Sequence, residues 1–219
     1  MAEYTYYGSE MQDLWAFKML GKNQTFLDVG CGGPIHCNNT YMLEKEGWKG
    51  ICIDSRLKVD GKNLSSFYKK ERKSKLFRLD STTEKFIVTL NENYSNRLID
   101  YISLDVDESG LDTLKNLLNN GYNFKCMTFE HDLYQRGGLN RLMKFESKDI
   151  LLKRGYFPLF ENVCLNYSVD LQRGVKPWED WWVNLNYFSH LLDIGGVGLY
   201  YENCIDQLFN FLNKTQVAK

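Results

Sequence analysis

Prolines are scarce in this chain, three in 219 residues, and histidines are equally few. The prolines, at 34, 158 and 177, mark no domain boundary, and no low-complexity linker or internal repeat divides the sequence. Net charge is almost absent. Against 28 acidic residues stand 27 basic ones, for a balance of -1, so the whole molecule has no field that would gather nucleic acid. No apolar run approaches the roughly 18 residues that a membrane span needs. The cysteines at 31, 37, 52, 126, 164 and 204 contain no Cys-x-x-Cys pair, so neither a zinc site nor a thioredoxin-type motif is expected. Several lie in apolar runs such as 50–53 and 124–127, where a thiol behaves as a small hydrophobe. The N-terminal residues Met1 to Tyr7 are neither basic nor followed by an apolar stretch. A secretory signal is therefore not expected, a reducing cytoplasm is the expected setting, and Asn-x-Ser/Thr triplets such as Asn63–Ser65 read as chance.

What is present is an ordinary globular balance, 43% hydrophobic and 25% charged, in a length that suits one α/β domain. The expected layout is a helical lead-in over 1–24, a core over 25–170 and an aromatic-rich extension over 171–219. Short apolar runs alternate with amphipathic stretches, the pattern of βαβ units on a mostly parallel sheet. The runs are 25–30, 48–54, 75–80, 98–105 and 124–130. Helices are expected at about 38–46, 62–73, 110–118 and 139–153, with Gly47, Gly121 and Gly155 suited to stop three of them. Residues 156–162 and 164–170 read as a closing antiparallel hairpin, and a short helix is expected around 200–212. The fold class that follows is α/β, a doubly wound seven-stranded sheet. The cluster Lys69, Lys70, Arg72, Lys73 and Lys75 reads as a solvated helix face, with a local RNA-binding patch as the competing reading.

Four runs end in an acid: Asp54, Asp80, Asp105 and Glu130. Open α/β sheets bind ligands beyond the carboxyl ends of their strands, so these acids mark the expected site. Beside them, Gly30-Cys31-Gly32 follows a strand and precedes a helix, the context of a nucleotide-binding turn. Ile35 stands where a dinucleotide fingerprint has its third glycine, and no Gly-Lys-Ser/Thr follows. Neither a dinucleotide nor a P-loop nucleotide is therefore expected. Asp28, two residues before the loop, and Asp54, placed to accept ribose hydroxyls, suit S-adenosylmethionine, which carries no pyrophosphate. Asp80, with Ser81 beside it, is placed to bond adenine.

The ordered set Ser9–Asp13, Phe26–Gly32, Asn39–Glu44, Gly47–Asp54, Ile99–Asp107, Leu111–Leu114, Phe129–His131, Gly155–Tyr156 and Trp178–Val183 resembles the FkbM-like branch of the Rossmann-fold methyltransferases over about 9–190. The resemblance implies cofactor roles for Asp28, Gly30, Gly32, Asn39, Asp54, Asp80 and Asp105; Cys31, Ser55 and Ser81, adjacent to them in the sequence, are also expected to contact S-adenosylmethionine. It also implies O-methyl transfer to sugars or other small hydroxylated molecules. The sequence departs from the family's Asp-x-Glu-Gly-x-Glu at Asp105-Val-Asp-Glu-Ser-Gly110, where Glu108 replaces a glycine and Gly110 the second acid.

Methyl transfer from a sulfonium is an in-line displacement in which the protein supplies alignment, and a hydroxyl acceptor also needs a base. Asp107, Glu130 and His131 are the candidates. Asp105, Asp107, Glu130 and His131 are donors that suit a divalent ion, but their spacing is no metal motif and no metal site is expected. Trp178, Trp181 and Trp182 serve either as acceptor wall or as core. The expected partner is a small-molecule acceptor, with neither membrane nor nucleic acid. The competing functions are a cofactor-binding module without turnover and an RNA-directed methyltransferase.

Overall fold

The computed structural model describes residues 5–135, 137–164, 178–194 and 210. Helix α1 (Gln12–Leu20) leads into β1 (Thr25–Val29), α2 (Tyr41–Lys45) and β2 (Lys49–Ile53). A small hairpin of β3 (Lys58–Val59) and β4 (Lys62–Asn63) comes next, then α3 (Leu64–Glu71), β5 (Lys75–Phe77) and α4 (Glu84–Asn93). The second half runs β6 (Leu98–Leu104), α5 (Gly110–Asn119), β7 (Asn123–Glu130), α6 (Gly138–Lys153), β8 (Tyr156–Val163), β9 (Glu179–Asn184) and α7 (Leu185–Phe188).

The main sheet has seven strands in the order β5-β2-β1-β6-β7-β9-β8. The first five are mutually parallel, and β9 runs antiparallel to both β7 and β8. The chain moves outward from β1 to β2 and β5, then returns to lay β6 on the other side of β1. That reversal opens a crevice at the carboxyl ends of β1 and β6.

Alternation along each strand sends side chains to two faces, and here both faces are apolar. Phe26 joins one core with Trp15, Leu43, Trp48 and Tyr68, from the α1, α2 and α3 side. Its neighbour Leu27 joins the other with Phe86, Leu90, Leu114, Leu117 and Leu151, from the α4, α5 and α6 side. Strand β9 does the same, with Trp181 in the first core and Trp182 in the second, both fully buried. A sheet covered on both faces is the doubly wound architecture expected from the alternating pattern.

Several expectations change in detail. The stretch before β6 reads as polar, yet 84–93 is a helix because Phe86, Ile87 and Leu90 share a buried stripe. The helix expected over 62–73 begins at 64. Lys62 and Asn63 instead close a hairpin whose Asp60-Gly61 turn takes φ of 50° and 74°, the positive pair that a tight hairpin turn requires. Asn63 then caps α3, accepting from the Ser66 N–H at 3.0 Å. The strand expected over 75–80 stops at Phe77, which leaves Asp80 in an exposed turn. Among the described residues β8 pairs with β9, antiparallel; Cys164 is not in a strand, and 165–170, the expected hairpin partner, lie outside the described residues. The helix expected around 200–212 also lies outside them, apart from position 210. In the basic cluster, Lys69, Lys70, Lys73 and Lys75 are exposed as a solvated face would be, but Arg72 is buried. Among the described residues no helix is long and apolar enough to cross a membrane.

Candidate active site

The crevice is floored by the loop after β1. Gly30 sits at φ 82°, and a Cβ there would overlap the carbonyl oxygen of Asp105, so the approach of β6 alone demands glycine. The Gly30 and Cys31 N–H groups both donate to the Ile53 carbonyl, at 2.9 and 3.2 Å. Gly32, at φ 58°, donates its N–H to Asp54 Oδ2 at 3.0 Å. A Cβ on Gly32 would meet nothing nearer than Arg56 Nη2 at 3.5 Å, so this face of the backbone is open to a ligand.

A buried polar frame holds the loop from beneath. The Asn38 amide donates to the carbonyls of Cys31 and Gly33, at 2.9 and 3.0 Å. Arg72 Nη1 donates to Asn38 Oδ1 at 2.8 Å and to the Pro34 carbonyl at 3.1 Å. Its Nη2 reaches Thr40 Oγ1 at 3.0 Å, and Thr40 donates in turn to Asp28 Oδ2 at 2.6 Å. Asp28 is 1% exposed, and burial pushes its carboxyl up to about 6 although the Thr40 hydroxyl pulls it down. Cys31 is buried, and burial raises its thiol, so it lines the loop as an inert group. Neither Asn38 nor Arg72 stands out in the sequence. A basic cluster hides Arg72, and only its burial reveals the role.

Two hollows open above the loop and share Gly30, Arg56, Asp105 and Asp107 in their walls. The smaller, about 200 Å³, is lined also by Asp54, Ser55, Asp80 and Ser81. Burial alone would raise Asp54, but hydrogen bonds from Arg56 outweigh it and hold the carboxyl below the usual range. Those bonds come from the Arg56 N–H at 2.8 Å, Nε at 3.0 Å and Nη2 at 2.6 Å. Asp80 accepts from the N–H and hydroxyl of Thr82, which lower its carboxyl. The Ser81 hydroxyl pairs with Thr113 Oγ1 at 2.7 Å.

The larger hollow, about 630 Å³, takes in Asp28, Cys31, Gly32, Asn39, Glu130 and Asp132. The Asn39 amide donates to Ser103 Oγ at 2.9 Å, while its buried Oδ1 has no partner. Tyr134 and Trp178, with ring centroids 4.3 Å apart, form an aromatic wall. Of the three tryptophans, Trp178 therefore faces the hollow, whereas Trp181 and Trp182 are core.

Two of the strand-end acids, Asp105 and Glu130, meet here. Burial raises both Asp105 and Glu130; they share a hydrogen bond that favours ionised Asp105 and keeps the proton on Glu130. Asp132 is pushed up to about 6 by burial and by the charges of Asp105 and Asp107. His131 does not join them. Its ring is fully buried, Nδ1 accepts from the Leu133 N–H at 3.2 Å, and Nε2 lies 3.2 Å from Asp180 Oδ1 and 3.3 Å from Lys144 Nζ. Its backbone N–H and that of Asp132 both donate to the Trp178 carbonyl at 2.9 Å. His131 thus ties the loop to β9 and lines neither hollow. Gly110, which departs from the family pattern, packs against α6: a Cβ there would lie 3.0 Å from Met143 Sδ. Asp132, Arg56, Tyr134 and Asn38 are site residues that the sequence reading passed over; the one available signal was their nearness to Asp54, Glu130 and the glycines.

No protein-family profile matches the chain, and no curated protein matches it in sequence. Solved structures do match. An rRNA-methylase candidate from Clostridium thermocellum is similar at TM-score 0.53 and 13% identity, over 82% of this chain and 97% of that one. An O-methyltransferase from Bacillus cereus in complex with SAH is similar at TM-score 0.52 and 12% identity, over 80% of each chain. A TehB-like SAM-dependent methyltransferase from Corynebacterium glutamicum follows at TM-score 0.51 and 16% identity, over 82% and 89%. At these identities the likeness establishes the fold: this chain has the Rossmann-type architecture of those structures.

Proposed function

We propose that the chain binds S-adenosylmethionine and transfers its methyl group to a hydroxyl of a small, sugar-like acceptor, as an outlying member of the FkbM-like methyltransferases. One observation carries this reading. The glycine loop, Asp54 and Asp105 converge at the point where strand order reverses, on two adjoining hollows. The names of the structural neighbours lend support: one is an O-methyltransferase bound to SAH.

The donor set fits the ligand. Asp54, Ser55, Asp80 and Ser81 offer acceptors for ribose hydroxyls and an adenine amine in the smaller hollow. The open face of Gly32 lets the amino-acid end approach the backbone. When bound, S-adenosylmethionine supplies a methyl group on a positively charged sulfur. The ionised carboxylate of Asp105, at the end of β6, suits that charge, and Asp107 beyond it is the group to take the acceptor's proton. Tyr134 and Trp178 give the acceptor a flat apolar wall and exclude water from it. An RNA acceptor has less support, because Arg72 turns inward and breaks the basic face.

Calorimetry of the full chain with S-adenosylmethionine and with its demethylated product tests the first half. Binding in the micromolar range is expected, and none up to millimolar ligand refutes the reading. Radiolabelled methyl transfer to a panel of sugars and other hydroxylated compounds tests the second half. Binding without any turnover identifies a cofactor-binding module instead.

A further inference from the structure

We propose that Asp107, Glu130 and Asp132 hold a divalent, oxygen-preferring cation, of the Mg²⁺ or Mn²⁺ class, in the wall of the larger hollow. Each residue offers a carboxylate oxygen, and the three oxygens all lie within 4.8 Å of one another. A shell of oxygens is about 4.0–4.2 Å across around Mg²⁺ and about 4.6–5.2 Å around Ca²⁺, from metal–oxygen distances of about 2.0–2.1 and 2.3–2.6 Å. Three oxygens within 4.8 Å of one another can share the larger sphere as they stand and the smaller one after closing to about 4.2 Å or less. They come from the loop after β6 (Asp107) and from the end of β7 with the loop that follows it (Glu130 and Asp132), which the parallel pairing of those strands sets side by side.

Asp132 points independently to a missing partner. The residue is 6% exposed, its Oδ2 accepts from Gln135 Nε2 at 2.8 Å, and its buried Oδ1 has no partner. A buried carboxylate oxygen without a donor is costly unless something positive meets it. Among the described residues, no Lys, Arg or His forms an ion pair with Asp107, Glu130 or Asp132. The larger hollow is lined by six acidic side chains against Arg56, Lys62 and His36.

The donor set selects the ion. Three carboxylates, Glu130 giving up its proton when the ion binds, and no sulfur or imidazole favour Mg²⁺, Mn²⁺ or Ca²⁺ over zinc or copper. His131, next to Glu130 in the chain, is turned away and engaged by Asp180 and Lys144, and His36, which lines the same hollow, is not part of the carboxylate cluster. Three protein ligands leave the remaining positions open to the hollow, where water or an acceptor's oxygen completes the shell. This site does not rest on methyl transfer. A chain that binds the ion but not S-adenosylmethionine keeps the site and loses the transferase.

The test uses the full chain, stripped with a chelator and titrated with Mn²⁺ while free ion is followed by electron paramagnetic resonance. One saturable Mn²⁺ per chain is expected, displaced by excess Mg²⁺. Asp107→Asn and Asp132→Asn should each weaken binding tenfold or more, and the control Asp80→Asn, an exposed acid in the smaller hollow, should not. Binding that is absent up to several millimolar, or unchanged in both variants, overturns the proposal. Should a variant fail to fold, thermal melting of the unaltered chain decides: Mn²⁺ raises the melting temperature if the site exists, and no rise overturns it.

Discussion

The guanidinium of Arg72, at the end of α3, donates to the amide oxygen of Asn38 at 2.8 Å, and the Asn38 amide group holds the carbonyls of the glycine loop. The loop's shape therefore depends on a charge more than thirty residues away. Arg72→Ala leaves Asn38, Thr40 and the Pro34 carbonyl without their buried donor. Breaking a buried charged network by removing one partner costs about 3–5 kcal/mol. Urea denaturation should show a loss in that range, and Arg72→Lys should recover only part of it, since an ammonium cannot span the same acceptors.

Asp28 makes stability depend on pH. Its folded carboxyl is raised to about 6 from 3.8. Below 3.8 both states are protonated and the stability is fully present. As pH rises, the unfolded chain ionises first and stability falls until about pH 6, by about 3 kcal/mol at 1.36 kcal/mol per unit. Asp28→Asn should flatten this fall and melt higher than the parent at pH 7.5. An identical pH profile for the variant would refute the assignment.

The two loop glycines should respond differently. At Gly30 a Cβ has nowhere to go, whereas at Gly32 it has room beside Arg56 and suffers only from the positive φ. Gly30→Ala is expected to unfold or severely destabilise the chain. Gly32→Ala should cost about 1 kcal/mol in stability, while weakening S-adenosylmethionine far more than that cost explains. Melting and calorimetry on the two variants separate the effects.

Asp54 has its oxygens occupied by Gly32 and Arg56, yet Arg56 is 54% exposed at its side chain. A ligand hydroxyl reaches Asp54 only if that guanidinium swings out. Arg56→Ala should therefore retain or tighten adenosine binding, while Asp54→Ala loses it about tenfold or more, one hydrogen bond to a charged group being worth about 1.5–3 kcal/mol. Adenosine affinities by calorimetry check the order.

The tail tryptophans separate by role. Trp181, fully buried against Trp15 at 4.9 Å, should cost about 3–5 kcal/mol on truncation to alanine. Trp178→Ala should cost much less stability and act on acceptor KM instead. Parallel melts and kinetics distinguish them.

How far the sequence reached depends on what kind of signal each feature left. Alternating apolar runs sufficed for the parallel sheet, because burial on two faces forces near-continuous hydrophobic strands. Helix α4 escaped because three buried residues in a polar stretch make a weak stripe. The pairing of β8 with β9 escaped because an antiparallel partner can be chosen from anywhere in the later chain.

At the site, local pattern placed the glycines and the acids at strand ends, since a tight turn and a strand terminus are properties of neighbouring residues. Whether those acids gather is decided by which strands lie side by side, and that is a long-range matter. Asp132 enters the cluster and His131 leaves it although they are adjacent, because the backbone at Asp132 takes φ 50° and the imidazole is captured by Asp180 on β9. The sequence by itself determined a doubly wound α/β fold with a ligand loop after its first strand. Only the tertiary structure decided which carboxylates share one space, because direction and burial are set by contacts between distant segments.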